Sequence, residues 1–509
     1  MSPLFQIGGI MRSSGILLPI FSLPGKYGIG CFSKEAYAFV DFLKKAGQSY
    51  WQILPIGPTS YGDSPYQSFS TFAGNPYFID LENLIEQGLL TKAECDSAQL
   101  GNRENDIDYG ALYEERFRLL RTAFSRIDSA TKKKVAEFEK KSEWLEDYAL
   151  FMALKDAHDG ASFFTWEDDL RLRKETAISE AKKKYEKDID FYKYLQYEFF
   201  REWKELKAYA NAAGIKIIGD IPIYIAEDSA DVWCNPSLFQ MDEEGRPKAV
   251  AGCPPDAFSD KGQMWGNPLY DWPAHKKENY KWWISRMANC VTLYDVIRID
   301  HFRGFDEYYS IPYGREDAVI GQWEKGPGLE LFTAMKKELG ELNIIAEDLG
   351  YITPTVRKLV KDTGFPNMKI MEFAFDGREP KQGGAKTNDY LPFNMGHNCV
   401  VYTGTHDNET LYGWLDNVGK ASLAEAKRFM DIKFITKKGF VKKMIRLAIS
   451  SPADYCIIPI QDYLCLGNEA RINEPSTLGT NWRWRLVPGQ LTDKLADEML
   501  YLANLYGRN

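Results

Sequence analysis

Asp300, Glu347 and Asp407 each follow a short apolar run, in Val296-Ile-Arg-Ile-Asp300, Ile344-Ile-Ala-Glu347 and Cys399-Val-Val-Tyr-Thr-Gly-Thr-His-Asp407. Runs rich in β-branched residues read as short buried strands, so the three carboxylates stand at strand ends. Side chains alternate along a strand, which puts Arg298 and Asp300 on one face and Ile297 and Ile299 on the other. A guanidinium beside Asp300 favours the ionised carboxylate, the form a nucleophile needs. The apolar residues before Glu347 desolvate it and favour the protonated acid, the form a proton donor needs. A lone strand-end carboxylate is usually a structural acceptor. Three of them, with Arg298 and His406 close by in sequence, point to an acid/base cluster.

Such a cluster could bind a metal or cut glycosidic bonds. With five histidines and no His-x-His or His-Glu-x-x-His spacing, the chain is a poor zinc site, whereas magnesium on carboxylates stays open on spacing alone. The contrast between Asp300 and Glu347 suits a nucleophile and an acid/base acting on a sugar.

The elements that must position these groups are eight apolar runs, at 16–20, 51–56, 215–221, 296–300, 343–348, 369–375, 399–405 and 455–460. They alternate with segments of helical period, which is the count of an α/β fold of the (β/α)8 TIM-barrel type. A doubly wound dinucleotide fold would call for a Gly-x-Gly-x-x-Gly turn, and there is none. In a barrel the reacting groups collect at the C-terminal ends of strands. Gly219-Asp220-Ile-Pro222 adds Asp220 to them, although an Asp before Ile-Pro could equally cap a turn. Uneven spacing places the insertions. Residues 60–212 read as mainly helical, with a stripe of Phe191, Leu195, Phe199, Trp203 and Leu206, and the charged run 180–188 reads as a solvated helix face. Residues 225–285, rich in Gly, Pro, Trp and Asp, read as loops over the site. The expectation is one catalytic barrel over 1–509 with two inserted subdomains.

Composition narrows the partners. A net charge of -9 lacks the basic face that nucleic acid or an anionic membrane would want. No apolar run approaches the ~18 residues of a bilayer span. Pro19 and the lack of a small-residue cleavage site argue against a signal peptide near the N-terminus. Eight cysteines without Cys-x-x-Cys spacing read as reduced thiols of a cytoplasmic protein. At 14% aromatic residues, the chain has flat rings to spare for sugar faces.

Arg298-Ile-Asp-His301, Ala346-Glu-Asp-Leu-Gly-Tyr-Ile-Thr-Pro354 and Gly404-Thr-His-Asp-Asn408 resemble the strand-end motifs of the amylomaltases, the 4-α-glucanotransferases related to α-amylases. Tyr61-Gly-Asp-Ser-Pro-Tyr-Gln67, Gly74-Asn-Pro-Tyr77, Gly219-Asp-Ile-Pro-Ile-Tyr224, Pro254-Pro-Asp256 and Trp265-Gly-Asn-Pro268 extend the resemblance over nearly the whole chain. It implies transfer of α-1,4-glucan segments between maltooligosaccharides without metal or cofactor. Asp300 would be the nucleophile, Glu347 the acid/base and Asp407 the group stabilising the transition state. Arg298 would orient Asp300, and His406 and Asp220 would bind sugar hydroxyls. Tyr61, Trp265 and Asn473 would sit in loops covering the site. Taken alone, Tyr61 and Trp265 would more often be packing residues, and the Trp pair of Asn481-Trp-Arg-Trp-Arg485 reads as core. His301 is given no role. Cys253, Ile472 and Ser476 depart from the Val, Met and Gly expected at their positions and bear on loop packing. A hydrolase using the same carboxylates and a glucan-binding protein without activity are the alternatives. Oligomeric state is not legible.

Overall fold

The computed structural model describes residues 12–101, 103–255, 260–350, 352–377 and 384–509, with the backbone but not the side chain of Tyr61. Twelve strands are numbered here in chain order. β1 (Ser13–Leu17), β2 (Tyr50–Gln52), β3 (Lys216–Pro222), β6 (Val296–Asp300), β9 (Ile344–Ala346), β10 (Asn367–Ile370), β11 (Cys399–Tyr402) and β12 (Tyr455–Pro459) close into a parallel barrel in that order. The chain is thus an eight-stranded (β/α)8 barrel, and each of the eight apolar runs supplies one strand.

Alternation along each strand sorts the barrel's two sides. Leu17, Ile218, Val296, Ile345, Val400 and Ile457 form a cluster distinct from the main core. Ile297 and Ile299 join the larger core that includes helix residues such as Trp203 and Trp283. Arg298 and Asp300 therefore share the face of Val296 and point away from the helices.

Strand ends differ from the sequence expectation: β2, β9 and β11 stop at Gln52, Ala346 and Tyr402, short of 56, 348 and 405, and β1 and β10 differ for a local reason. β1 starts and stops earlier than 16–20, because Pro19 has no N–H to give and Ile20–Ser22 turns into a 3-10 helix. The sixth run divides at Ile370: beyond the last residue paired to β11, Met371–Phe375 coils into a helix. Past the barrel rim there is no neighbouring strand to take the backbone's hydrogen bonds, and a helix satisfies them internally.

The long connection between β2 and β3 is mostly helical and ends in the 27-residue helix Glu186–Ala212. Its stripe of Phe191, Leu195, Phe199, Trp203 and Leu206 is buried. Over the barrel lies a second sheet, in the order β5-β4-β7-β8, built from Gln263–Pro268, Ala249–Cys253, Glu307–Pro312 and Gln322–Lys325. The segment 225–285, expected as loops, contributes two of its strands. Short runs broken by Gly252, Gly262 and Gly266 carry little periodicity, and their partners β7 and β8 lie after β6.

Candidate active site

The site is built around Arg298. In the β3–β6 register, Asp220 lies opposite Arg298 and Pro222 opposite Asp300. The Arg298 guanidinium donates from Nη1 to both oxygens of Asp220, at 2.8 and 2.6 Å, and from Nη2 reaches Asp300 Oδ1 at 2.9 Å. Its Nε points to Met368 Sδ at 3.3 Å, on the neighbouring face of β10. One buried cation thus holds two carboxylates from adjacent strands. A planar fork with fixed donors can do this, whereas an ammonium could not match both geometries.

That sharing corrects an expectation about Asp300. Burial raises its pKa well above the ordinary aspartate value, more than Arg298 lowers it, and the charges of Glu347 and Asp220 push the same way. The sequence shows Arg298 but not Asp220, the acid that takes half of its charge. For Glu347 the expected upward shift is present, with burial as its main cause.

Glu347 follows β9 and is fixed by backbone. His301 N–H donates to Oε2 at 2.6 Å and Leu349 N–H to Oε1 at 2.8 Å. His301 itself is left-handed, with φ 55, where the chain leaves β6. Its ring meets Trp265 edge to face at 4.7 Å between centroids. Burial holds its pKa down to about 3, so the imidazole is neutral.

Across the barrel mouth, Asp407 accepts from Asn473 Nδ2 at 2.7 Å through Oδ1, and its Oδ2 lies 3.2 Å from His406 Nε2. Arg471 Nη2 donates to the carbonyl of Asp407 at 2.7 Å, and Asn473 N–H donates to the carbonyl of His406 at 3.0 Å. The loop carrying Asn473 is therefore stitched to the loop after β11 by side chain and main chain.

Tyr66 links the two halves. Its hydroxyl donates to Asp220 Oδ2 at 2.9 Å and lies 2.9 Å from His406 Nε2, and its ring stacks on the imidazole at 14° and 5.3 Å. With the tyrosine proton directed to Asp220, His406 Nε2 carries the hydrogen and donates. Burial lowers the His406 pKa, in keeping with a neutral ring. Trp482 packs behind both rings, 5.7 Å from Tyr66 and 6.0 Å from His406. It is buried, as expected of core, but its backbone is left-handed and it lies in no strand.

Asp220, Arg298, Asp300, Glu347, His406, Asp407 and Asn473 are thus joined through direct contacts or shared partners. Trp265 reaches them through His301. The Tyr61 side chain lies outside the described residues, but Gln67 of the same stretch donates to the carbonyl of Trp265 and to Asn267 Oδ1, both at 3.3 Å. Tyr66, Trp482 and Arg471 were missed as site residues. Tyr66 falls inside the Tyr61–Gln67 motif, and its signal was a polar ring directly after Ser64-Pro65. Among the described residues no group of three His, Cys, Asp or Glu is arranged to hold a metal ion.

Comparison with known proteins places this arrangement. A family model described as 4-alpha-glucanotransferase matches residues 18–491. The chain is 50% identical over 491 residues to a 4-alpha-glucanotransferase of Clostridium butyricum, covering 96% of this chain and 99% of the relative. It is 46% identical over 492 residues to that of Thermus thermophilus, covering 94% and 96%. Among solved structures it resembles the amylomaltase from Streptococcus agalactiae in complex with acarbose, with TM-score 0.94 and 39% identity over 98% of this chain and 100% of that one. The amylomaltase from Corynebacterium glutamicum shares the fold, with TM-score 0.74 and 17% identity over 98% and 75%.

Proposed function

This chain belongs to the 4-alpha-glucanotransferase family and is an enzyme of the amylomaltase type, and from that premise we propose how its residues divide the reaction. The substrates are maltooligosaccharides and longer α-1,4-glucans, as the acarbose held by the Streptococcus agalactiae relative suggests. The carrying observation is the single guanidinium of Arg298 set between Asp220 and Asp300, with Glu347 held by two backbone N–H groups alongside.

Burial makes it costly for Asp300 and Glu347 to be ionised together, so the pair keeps a proton. Arg298 touches Asp300 and not Glu347, and a full positive charge outweighs amide dipoles; the proton therefore resides on Glu347. Asp300 Oδ attacks the anomeric carbon as the glycosidic C–O bond breaks, and Glu347 protonates the departing 4-oxygen. The glucan is left as an ester on Asp300. A second glucan's 4-hydroxyl then attacks the same carbon, Glu347 recovers the proton, and Asp300 leaves as carboxylate. Two inversions return the α configuration.

Asp407, oriented by Asn473 and His406, receives hydroxyls of the distorted sugar as positive charge builds at its ring. Asp220 and Tyr66 fix the floor of the same pocket. Trp265, packed on His301, covers the ester and gives an oriented sugar the advantage over ~55 M water, since effective molarities of positioned groups reach ~10⁵ M. Incubation with maltotriose followed by chromatography tests the reading. A ladder of shorter and longer maltooligosaccharides supports it, and glucose with maltose alone would mean a hydrolase.

A further inference from the structure

Glu372 takes no part in the scheme above, yet it stands at the C-terminal end of barrel strand β10. Its side chain is buried, 3% exposed, and Oε1 finds no hydrogen-bond partner among the described residues. Its own N–H donates to the carbonyl of Thr403 at 3.2 Å. A Cβ on Gly404 would come within 3.2 Å of Oε1. The carboxyl therefore lies against the backbone that opens the loop to His406 and Asp407, and a Cβ at 404 would press on it and on Asn408 Cβ.

The groups facing Glu372 are mostly of its own sign. Asp462 comes from the helix after β12, Glu409 from the loop after β11 and Asp376 from the end of its own helix; Arg471 opposes them. Each acid is engaged in holding this corner. Asp462 accepts from Thr403 Oγ1 at 2.6 Å and from Leu411 N–H at 2.8 Å. Asp376 accepts from Trp414 Nε1 at 3.3 Å and Glu409 from Asn468 Nδ2 at 2.7 Å. Arg471 is committed to the carbonyls of Asp407 and Asn473, both at 2.7 Å. A fourth negative charge at Glu372 would be buried and uncompensated, with the loop backbone as its nearest yielding neighbour.

We infer that Glu372 is a positioning residue: as an uncharged acid its carboxyl seats the loop carrying His406 and Asp407, and its ionisation unseats that loop. The direction of its titration agrees, since burial and these neighbours hold it well above the ordinary glutamate value. The inference rests on the reading that Asp407 binds glucan, and two measurements separate the two.

The first is thermal stability of Glu372→Gln against wild type. A carboxyl whose folded pKa exceeds its unfolded one binds more protons in the fold, so the stability it supports is present at low pH and lost as pH rises. The Tm advantage of the glutamine variant should widen with pH above 4.5, the ordinary glutamate value. The second is maltoheptaose affinity by calorimetry in Glu347→Gln, with and without Glu372→Gln, so that neither protein turns over. With Glu372 present, affinity should fall about tenfold per pH unit once the carboxyl ionises, as the competent fraction falls. The added Glu372→Gln change should remove that fall. Parallel Tm curves, or the same decline of affinity with rising pH in both proteins, would overturn the inference. A failure of both proteins to bind glucan at any pH would sink the glucan reading instead, and the Tm comparison would decide Glu372 alone.

Discussion

The backbone N–H of His301 lies 2.6 Å from Oε2 of Glu347, at the residue where the chain leaves β6 through a left-handed turn. A non-glycine residue at positive φ costs on the order of 1 kcal/mol or more, stored here next to the proton donor. The residue left without a role on sequence grounds is a structural hinge between β6 and β9. His301→Gly, which suits the turn, should unfold at higher urea than His301→Ala, by about 1 kcal/mol. Equal stabilities would show that the turn carries no strain.

Arg298 offers a second test. Removing it leaves Asp220 and Asp300 buried side by side, so Arg298→Met should cost about 3–5 kcal/mol in denaturant unfolding. Adding Asp220→Asn should return part of that loss, because one of the stranded charges is gone. Arg298→Lys should not rescue turnover, since one ammonium cannot span both carboxylates.

Asp300→Asn, Glu347→Gln and Asp407→Asn should each lower kcat by roughly a thousandfold or more, and combining them should cost little beyond the worst single change. Circular dichroism should be unchanged in all three, and maltoheptaose binding should remain in Asp300→Asn and Glu347→Gln. Near-normal turnover in Asp300→Asn would remove it from the nucleophile's role.

Trp265→Ala should open the cover without touching the carboxylates. Transfer should then fall more than hydrolysis, read as free glucose-reducing ends formed per transfer event. A proportional fall in both would assign Trp265 to substrate binding alone.

His275 allows a pH prediction away from the site. It is buried among Tyr270, Trp272 and Trp282, and burial holds its pKa down to about 4 from 6.5. The unfolded chain therefore takes up a proton that the fold refuses, and stability falls as pH drops from 6.5 towards 4. His275→Phe lacks that component, so its Tm relative to wild type should improve steadily over the same window. A pH-independent difference would mean that His275 is not the titrating group.

What the chain carries locally was enough for the barrel and for the strand-end carboxylates of its candidate site. Val296-Ile-Arg-Ile-Asp300 is strand and strand end in five residues, and the same logic located Glu347 and Asp407, because strand propensity and alternation are properties of neighbours in sequence. The segments around Tyr61, Trp265 and Asn473 came from the family resemblance and not from strand propensity. Tertiary structure alone decided which groups meet. Tyr66 and His406 are 340 residues apart and share a 2.9 Å contact, and burial in the closed barrel outweighs Arg298 and raises the Asp300 pKa, with Glu347 and Asp220 adding to it. The sheet of β5, β4, β7 and β8 pairs strands from either side of β6, and Glu372 meets Gly404 only once β10 and β11 lie side by side. Desolvation and Coulomb energy depend on distances through space, and those are set when the barrel closes.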